Sequence, residues 1–439
     1  MILHFRIKAK QHARNYYFCR IASLSIALFA PATLAADTAP TANNTIVLWH
    51  WWNSKGERKS VDVLNTYLAL HGLQLADEQA KAASTGLYLR NFQNWLKTSK
   101  RPDAAMMVSS DIHTPSLTGS LLSLDDIAFE QGWSEFIPSA IQDTAKNQGH
   151  WVSAPINSHS TNWIWVNKAL FSQLDLPEPE TWEDLLKVLK RAKELGIPAL
   201  VSLDNDWEQA LLFELLVIST GGLEFYRRLF VNSQIKPGDQ HTLIKAFLRL
   251  KQLTHYFTTS TKNMAWNQST ALVAEGKVLM QIHGSWVNSE LVSLGKKADI
   301  DYLCMRFPDT QGAYLFHSDH FVFFKNTSGN PTYQKQLARI ILGKEFQREL
   351  SIASGAAPVR VDISTKGFNS CAKKSMHDLR MANMRRAVMA SINNKYLFKI
   401  VNDYLSNKIS VETAAKQVID AYTPFAKGAP NSIETPYVH

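Results

Sequence analysis

The sequence predicts an α/β fold with two or three domains. Short apolar runs typical of buried strands alternate along the chain with segments whose apolar residues recur at helical spacing, which favours mostly parallel sheets. The chain has 439 residues, of which 45% are hydrophobic and 10% aromatic, and this composition excludes a disordered or collagen-like polymer. At roughly 100–200 residues per domain, each domain can bury its own core.

Residues 1–36 have the pattern of a secretory signal peptide. Five basic and no acidic residues accompany an apolar stretch over residues 21–35 that ends in small residues. We expect this segment to be removed and the mature protein to be periplasmic. An uncleaved anchor is the alternative, although the stretch is shorter than the roughly 20 residues that span a bilayer. Its removal lowers the net charge from +9 to +4, which is too little to indicate nucleic acid as a partner.

The cysteines lead to two alternatives for the mature protein. Cys19 lies in the predicted signal peptide, so that Cys304 and Cys371 remain. In an oxidising compartment an even, widely spaced pair can form a disulfide. Two buried free thiols are the alternative, because the sequence does not show whether the Cα atoms lie within bridging range.

Three apolar runs predict buried strands, at residues 46–48, 104–108 and 321–324. In sheets of this kind, ligands bind in the loops beyond the carboxyl ends of the strands. We therefore expect a binding site in the loop after Leu48 and in the polar turn after Val108.

Two helices are predicted with clear ends. After the first strand, apolar residues recur at helical spacing until Gly72, a residue typical of helix ends. Further along, Thr181 and Asp184 have the spacing of a capping box, and that helix is predicted to run to about Leu195 and to end at Gly196.

The search for catalytic chemistry favours a binding protein over an enzyme. The chain contains no phosphate-binding loop, no dinucleotide fingerprint, no HExxH zinc motif and no GxSxG motif, and its histidines lack the spacing typical of a metal site on a helix. Glu57 and Asp319 could act as a glycosidase pair, but nothing in their local sequence identifies an acid and a nucleophile. A secreted glycoside-acting enzyme therefore stays an alternative, and no cofactor or metal is expected.

The strongest local signal is a run of tryptophans directly after the first strand, WHWWNSKGE at residues 49–57. Flat aromatic faces suit the apolar faces of sugar rings, while neighbouring polar groups bind the hydroxyls. Similar pairs of an aromatic and a polar residue recur in predicted loops, at Asn162-Trp163, Asp206-Trp207, Trp266-Asn267 and Ser285-Trp286. A single tryptophan is more often a core residue, but the repeated pairing favours a carbohydrate site.

These motifs together resemble family 1 extracellular solute-binding proteins, the maltose-binding type. The resemblance is strongest to the periplasmic glucose/mannose-binding proteins of sugar ABC transporters, and it spans about residues 46–422. The motifs that carry it are His50-Trp51-Trp52, Gly56-Glu57, the PINSH run at residues 155–159, the segment 275–286 that ends in GSW, and Pro358-Val359-Arg360.

The resemblance implies a type II periplasmic binding protein fold, with two α/β lobes, a hinge and a ligand cleft between the lobes. By this similarity, lobe 1 holds residues 37–154 and 308–344. Lobe 2 holds residues 155–307 and 345–439. The glucose-binding subgroup tends to have cysteines where Cys304 and Cys371 lie, which favours the disulfide.

The resemblance also implies which residues bind the ligand. Trp51 and Trp52 would stack on a sugar, and Glu57 would accept hydrogen bonds from its hydroxyls, unless it only caps a helix. Further cleft positions are Asp111, Asn157, His159, Trp207, Trp286, Asp319, Ser354 and Asn383.

Three positions depart from the glucose-binding pattern. Val108 and Ser354 stand where lysines are expected, and Asn383 stands where a histidine is expected. We therefore expect a monomeric sugar-binding protein that serves an inner-membrane ABC permease, with a specificity altered from glucose. The alternative is an extracytoplasmic sensor that presents its open or closed state to a membrane receptor.

Overall fold

The computed structural model describes most of the chain after residue 43. The described residues are 44–79, 88, 91–92, 101–108, 112–113, 117, 119–258, 264–325, 330–381, 386–388 and 395–423. The predicted signal peptide lies outside them. No described helix is long and apolar enough to cross a membrane.

Thirteen strands form two large sheets and one small one in the described part of the chain. They are β1 (Thr45–His50), β2 (Gln74–Gln79), β3 (Ala104–Val108), β4 (Lys146–Asn147), β5 (His150–Trp151), β6 (Ser153–Ser160), β7 (Trp163–Asn167), β8 (Leu200–Val201), β9 (Phe257–Thr258), β10 (Met280–Ile282), β11 (Tyr302–Arg306), β12 (Tyr314–Phe323) and β13 (Arg386–Val388). The first sheet has the order β13-β12-β3-β1-β2, with β6 also paired to β12. The second has the order β11-β7-β10-β8-β9, and β4 pairs only with β5.

The helices cover both sheets. They are α1 (Lys55–Leu70), α2 (Asp125–Glu130), α3 (Trp133–Phe136), α4 (Ser139–Ala145), α5 (Lys168–Ser172), α6 (Trp182–Glu194), α7 (Asp206–Tyr226), α8 (Asp239–Thr254), α9 (Trp266–Ala274), α10 (Val287–Ser293), α11 (Pro331–Ile341), α12 (Lys344–Ser354), α13 (Ser370–Arg380), α14 (Lys395–Leu405) and α15 (Val411–Tyr422). The predicted capping box is confirmed at α6, where the Thr181 hydroxyl accepts from the Asp184 amide at 3.2 Å.

Each large sheet has its own apolar core, which gives the two α/β lobes. Ile46 and Leu48 of β1 pack with Leu64 of α1 in the first core. Ile164 of β7 and Leu212 of α7 lie in the second. Apolar residues on one face of each helix and on the strands account for both layers.

Three neighbouring strands connect the lobes. Strand β12 places Leu315 in the second core and Phe321 in the first, and it is paired to β6 on one side and to β13 on the other. After β6 the chain enters the second sheet at β7, and after β13 it continues into α14, where Val401 belongs to the second core.

The sheets are mixed rather than mostly parallel, which corrects the sequence expectation. β12 is antiparallel to β3 and β6, and β7 is antiparallel to β10 and β11. A continuous apolar run is typical of parallel strands, but antiparallel β12 is buried along its whole length, so its run resembled that of a parallel strand.

Residues 345–380 pack differently from the predicted lobe division. Phe346 and Leu350 of α12 and Met376 and Leu379 of α13 lie in the first core, whereas residues 345–439 were all expected in lobe 2. The segment 153–160 likewise pairs within the first sheet. Phe346 also meets the Tyr67 ring of α1 edge-on at 5.3 Å, so burial of these apolar faces explains the difference.

The expected disulfide between Cys304 and Cys371 is present, with Cα atoms 5.9 Å apart. It joins β11 of the second sheet to α13. The Lys374 ammonium donates to the Cys304 carbonyl at 3.0 Å, and Arg306 pairs with Asp378. These contacts fix α13 against the second lobe as well as the first.

Candidate functional site

The tryptophan run begins at the end of β1, where buried His50 contacts Asp77 and the Trp52 amide. His50 is fully buried, with Nε2 lying 2.5 Å from Oδ1 of Asp77, and its Nδ1 lies 3.1 Å from the backbone amide of Trp52. Burial lowers the pKa of His50, although Asp77 opposes this shift. The histidine therefore holds the loop in one conformation.

The two expected stacking residues have different surroundings. Trp51 is half-buried and meets the Tyr88 ring edge-on at 5.3 Å. Trp52 is only 4% exposed and lies in the first core, with its ring 6.0 Å from Phe321. Trp52 thus occupies a core position, and its stacking on a sugar stays a prediction.

Glu57 caps the first helix in the structure. Its Oε2 accepts from the amides of Ser54 at 2.8 Å and Asn53 at 3.0 Å, while the Ser54 hydroxyl accepts from the Glu57 amide at 3.1 Å. Burial raises the pKa of Glu57, although these hydrogen bonds oppose the shift. Both of these cap hydrogen bonds use Oε2, and the predicted role of Glu57 in ligand binding stays a proposal.

Asp319 lies at the centre of a polar cluster on the β6–β12 ribbon. Asn157 donates to its Oδ2 at 3.2 Å, and the Nε2 atoms of His159 and His317 lie 3.6 Å and 3.8 Å from its two oxygens. Asp319 is opposite Asn157 in the antiparallel pair, and His317 is opposite His159. All four side chains share one face because strand residues two apart point the same way.

Burial and neighbouring charges shift the pKa values of Asp319 and His317 in opposite directions. Burial disfavours the Asp319 carboxylate, but the neighbouring His159, His317 and Asn157 side chains hold its pKa below the usual value. Burial lowers the pKa of His317 to about 4, against the attraction of Asp319. At neutral pH the cluster therefore contains an ionised carboxylate beside a neutral His317 imidazole.

Trp286 of the second lobe packs against the histidines of the Asp319 cluster. Its ring centroid lies 5.4 Å from that of His159 and 5.4 Å from that of His317, and 6.1 Å from that of Trp207. A side chain at Gly284 would meet the Trp286 ring at 2.2 Å, so glycine is required for this packing. Residues from both lobes thus enclose one cluster.

A second contact between the lobes lies at the start of α1. The Gly56 amide donates to Oε2 of Glu290 on α10 at 2.9 Å. A Cβ at Gly56 would lie 2.8 Å from the Ser289 hydroxyl and 2.9 Å from the Glu290 amide. The carboxylate also faces the positive end of the α1 dipole, which stabilises this contact.

Two of the three positions that depart from the glucose-binding pattern lie among the described residues. Val108 of β3 lies directly opposite Asp319 of β12 and is buried. Ser354 is buried at the end of α12, where its hydroxyl accepts from the Ala356 amide at 3.3 Å. Asp111 and Asn383 lie outside the described residues.

The structure thus brings together five of the nine predicted site residues that it describes. Trp207, Trp286, Asn157, His159 and Asp319 form one connected group, while Trp51 lies in the loop after β1 and Glu57 lies in the first turn of α1. No group of described histidine, cysteine and acidic residues could hold a metal ion.

Two residues were missed by the sequence reasoning. His317 lies two positions before Asp319 in a strand, so the two-residue period was a signal that could have found it. Glu290 lies within α10, and its partner Gly56 is 234 residues away, so no local pattern pointed to it.

Comparison with known proteins agrees with this architecture. A family model described as "Bacterial extracellular solute-binding protein" matches residues 82–328, more than half of the chain. A "Probable sugar-binding periplasmic protein" of Brucella suis is 31% identical over 405 residues, which covers 89% of this chain and 96% of the relative. The chain belongs to the bacterial extracellular solute-binding proteins.

More distant relatives of this solute-binding protein span the same length. An ABC transporter extracellular-binding protein of Pyrococcus horikoshii is 24% identical over 426 residues, covering 91% of this chain and 94% of the relative. The solved structure of the bacterial solute receptor AcbH superposes with a TM-score of 0.74 at 15% identity, covering 88% of this chain and all of that receptor. The type II binding-protein fold implied by the sequence is therefore confirmed.

Proposed function

We propose that the mature chain is a periplasmic protein that binds a sugar and delivers it to an ABC transporter. The observation that carries this proposal is the Brucella suis relative, a named sugar-binding periplasmic protein that aligns with nearly the whole chain. The AcbH receptor, described as having an exclusive preference for β-D-galactopyranose, supports the ligand class through its shared fold.

The chemistry of the cluster supports a neutral sugar. Aromatic rings of Trp286 and Trp51 offer flat faces, and the Asp319 carboxylate accepts charge-assisted hydrogen bonds from hydroxyls. Within the described part of the chain, no lysine or arginine forms an ion pair with Asp319 or Glu57. An acidic sugar or a sugar phosphate would lack a cationic partner there.

The departures support a specificity altered from glucose. Val108 offers a methyl surface next to Asp319, and the Ser354 hydroxyl already has a backbone partner. Each charged hydrogen bond lost from a closed cleft weakens binding by roughly 1.5–3 kcal/mol. Since a micromolar complex has only about 8 kcal/mol of binding free energy, glucose in the family pose would bind weakly.

Further parts of the proposal concern partners and chemistry. The protein acts as a monomer, its lobes close on the ligand, and the closed form docks on an inner-membrane permease. It performs no catalysis, in keeping with the binding proteins that it matches. No cofactor is needed for this cycle.

A thermal-shift screen of mature protein with neutral aldoses tests the proposal. The panel contains D-glucose, D-galactose, D-mannose, D-xylose and L-arabinose, with D-galacturonate and galactose 1-phosphate as anionic controls. A sugar at 100 times its Kd adds about 2.7 kcal/mol to the unfolding free energy. Stabilisation by at least one neutral sugar and by neither anion is expected. No stabilisation by any neutral sugar, or release of a product from a glycoside, would contradict the proposal.

A further inference from the structure

Two adjacent rings between the lobes carry buried polar atoms that have no hydrogen-bond partner among the described residues. One is Nδ1 of His317, whose side chain is more than nine-tenths buried, and the other is Nε1 of Trp286. The rings come from different lobes and their centroids lie 5.4 Å apart. A buried polar atom without a partner destabilises a protein, so such atoms call for an explanation.

The two atoms have opposite hydrogen-bonding character. An indole Nε1–H can only donate. The other His317 nitrogen, Nε2, faces the Asp319 carboxylate at 3.8 Å, which favours the proton on Nε2 and leaves the lone pair on Nδ1. Trp286 therefore offers a donor, and His317 offers an acceptor.

A hydroxyl group is the chemical group that satisfies both, because its oxygen accepts one hydrogen bond while its hydrogen donates another. Both nitrogens are buried in this structure, so the hydroxyl would reach them only after the lobes move apart to admit the ligand. A carboxylate or phosphate oxygen would satisfy Trp286 but would face the His317 lone pair and the Asp319 charge.

We propose that Trp286 Nε1 and His317 Nδ1 together bind a single hydroxyl of the sugar, and that this pair makes His317 a specificity-determining residue of the cleft. This inference rests on the proposed sugar-binding function. Because the two atoms lie on different lobes, that hydroxyl would be held only when the lobes are closed. The pair thus couples recognition of one position on the sugar ring to closure.

The test is a titration calorimetry series with monodeoxy sugars. The parent sugar is the tightest neutral aldose of the panel above, and its analogues each lack one hydroxyl. In the wild-type protein, loss of one particular hydroxyl should weaken binding 10- to 100-fold. In the His317→Phe and Trp286→Phe variants, the penalty at that same position should fall below 3-fold, while penalties at the other positions stay unchanged.

The outcomes separate the two proposals. If no neutral aldose binds, the proposed function is wrong. If a sugar binds but no deoxy position in the wild type is penalised more than 3-fold, or if the penalties are the same in both variants, the hydroxyl pair is wrong and the sugar-binding function stands. The wild-type series alone shows whether any deoxy position is penalised by more than 3-fold. Circular dichroism identifies a variant that fails to fold.

Discussion

At the scale of single residues, three histidines of β6 and β12 contribute most of the buried imidazole groups near Asp319 in the described part of the chain. His317 and His159 flank Asp319, and His320 points to the opposite face, where it is fully buried. The Ser153 hydroxyl lies 3.0 Å from its Nδ1, and the Thr144 hydroxyl lies 3.3 Å from its Nε2. Both partners are neutral, so a protonated His320 would lack an adjacent carboxylate among its hydrogen-bond partners.

Acidification should therefore destabilise the fold through His320. Burial lowers its pKa to about 3, against about 6.5 in the unfolded chain, so between these values the unfolded state binds more protons. The contribution is fully present above pH 6.5 and is lost as the pH falls; at pH 5 the loss is about 2 kcal/mol, at about 1.36 kcal/mol per pH unit.

Urea unfolding at pH 7 and pH 5 measures this effect in the wild type and in His320→Asn. The drop in unfolding free energy between the two pH values should be about 2 kcal/mol smaller in the variant. Equal drops in both proteins would show that His320 does not titrate between its folded and unfolded states as described.

At the scale of elements, the approach of α1 to α10 decides how tightly the lobes meet. Gly56 at the start of α1 and Gly355 after α12 both face α10, and a Cβ at Gly355 would lie 2.7 Å from the Ser289 amide. Backbone atoms of α10 cannot retreat as a flexible side chain can. The two glycines therefore permit a close contact between elements of different lobes.

Gly56→Ala should weaken ligand binding while the lobes themselves stay folded. Alanine favours the α1 helix by up to about 1 kcal/mol, yet its Cβ would overlap the Glu290 amide and oppose closure. We expect at least a 10-fold loss of sugar affinity by calorimetry, with an unchanged or higher Tm without sugar. Gly119→Ala is the matched control, since among the described residues a Cβ there meets nothing within 4 Å. Equal affinity in both variants would contradict the role of this contact.

Sequence reasoning succeeded for elements whose signal is local. The capping box at Thr181, the strand at residues 104–108 and the loop after β1 all lie where short patterns indicated. Strand direction and the packing of residues 345–380 were not predictable, because both depend on partners far away in the chain. The Gly56–Glu290 contact was not predicted for the same reason. Trp52, a candidate for stacking on a sugar, is also a residue of the first core.

At the scale of the whole molecule, the lobes are joined by more than the ribbon. Strands β6, β12 and β13 run side by side between the two cores, and the Cys304–Cys371 disulfide fixes α13 to the second sheet. The Asp319 cluster lies on this ribbon, where a ligand would touch both lobes at once. A ligand can shift the balance between open and closed lobes only through its different affinity for the two states, so contacts with both lobes are what closure requires.

Whether this cleft binds a neutral sugar through Asp319 is measured most directly by isothermal titration of the best aldose into wild-type protein and Asp319→Asn. The amide keeps the shape but loses the charged acceptor, so affinity should fall roughly 10- to 100-fold, or about 1.5–3 kcal/mol. Asp175→Asn is the matched control, because Asp175 is exposed and has a positive φ that asparagine tolerates. Unchanged affinity in Asp319→Asn, with the protein folded, would contradict the cleft as the sugar site.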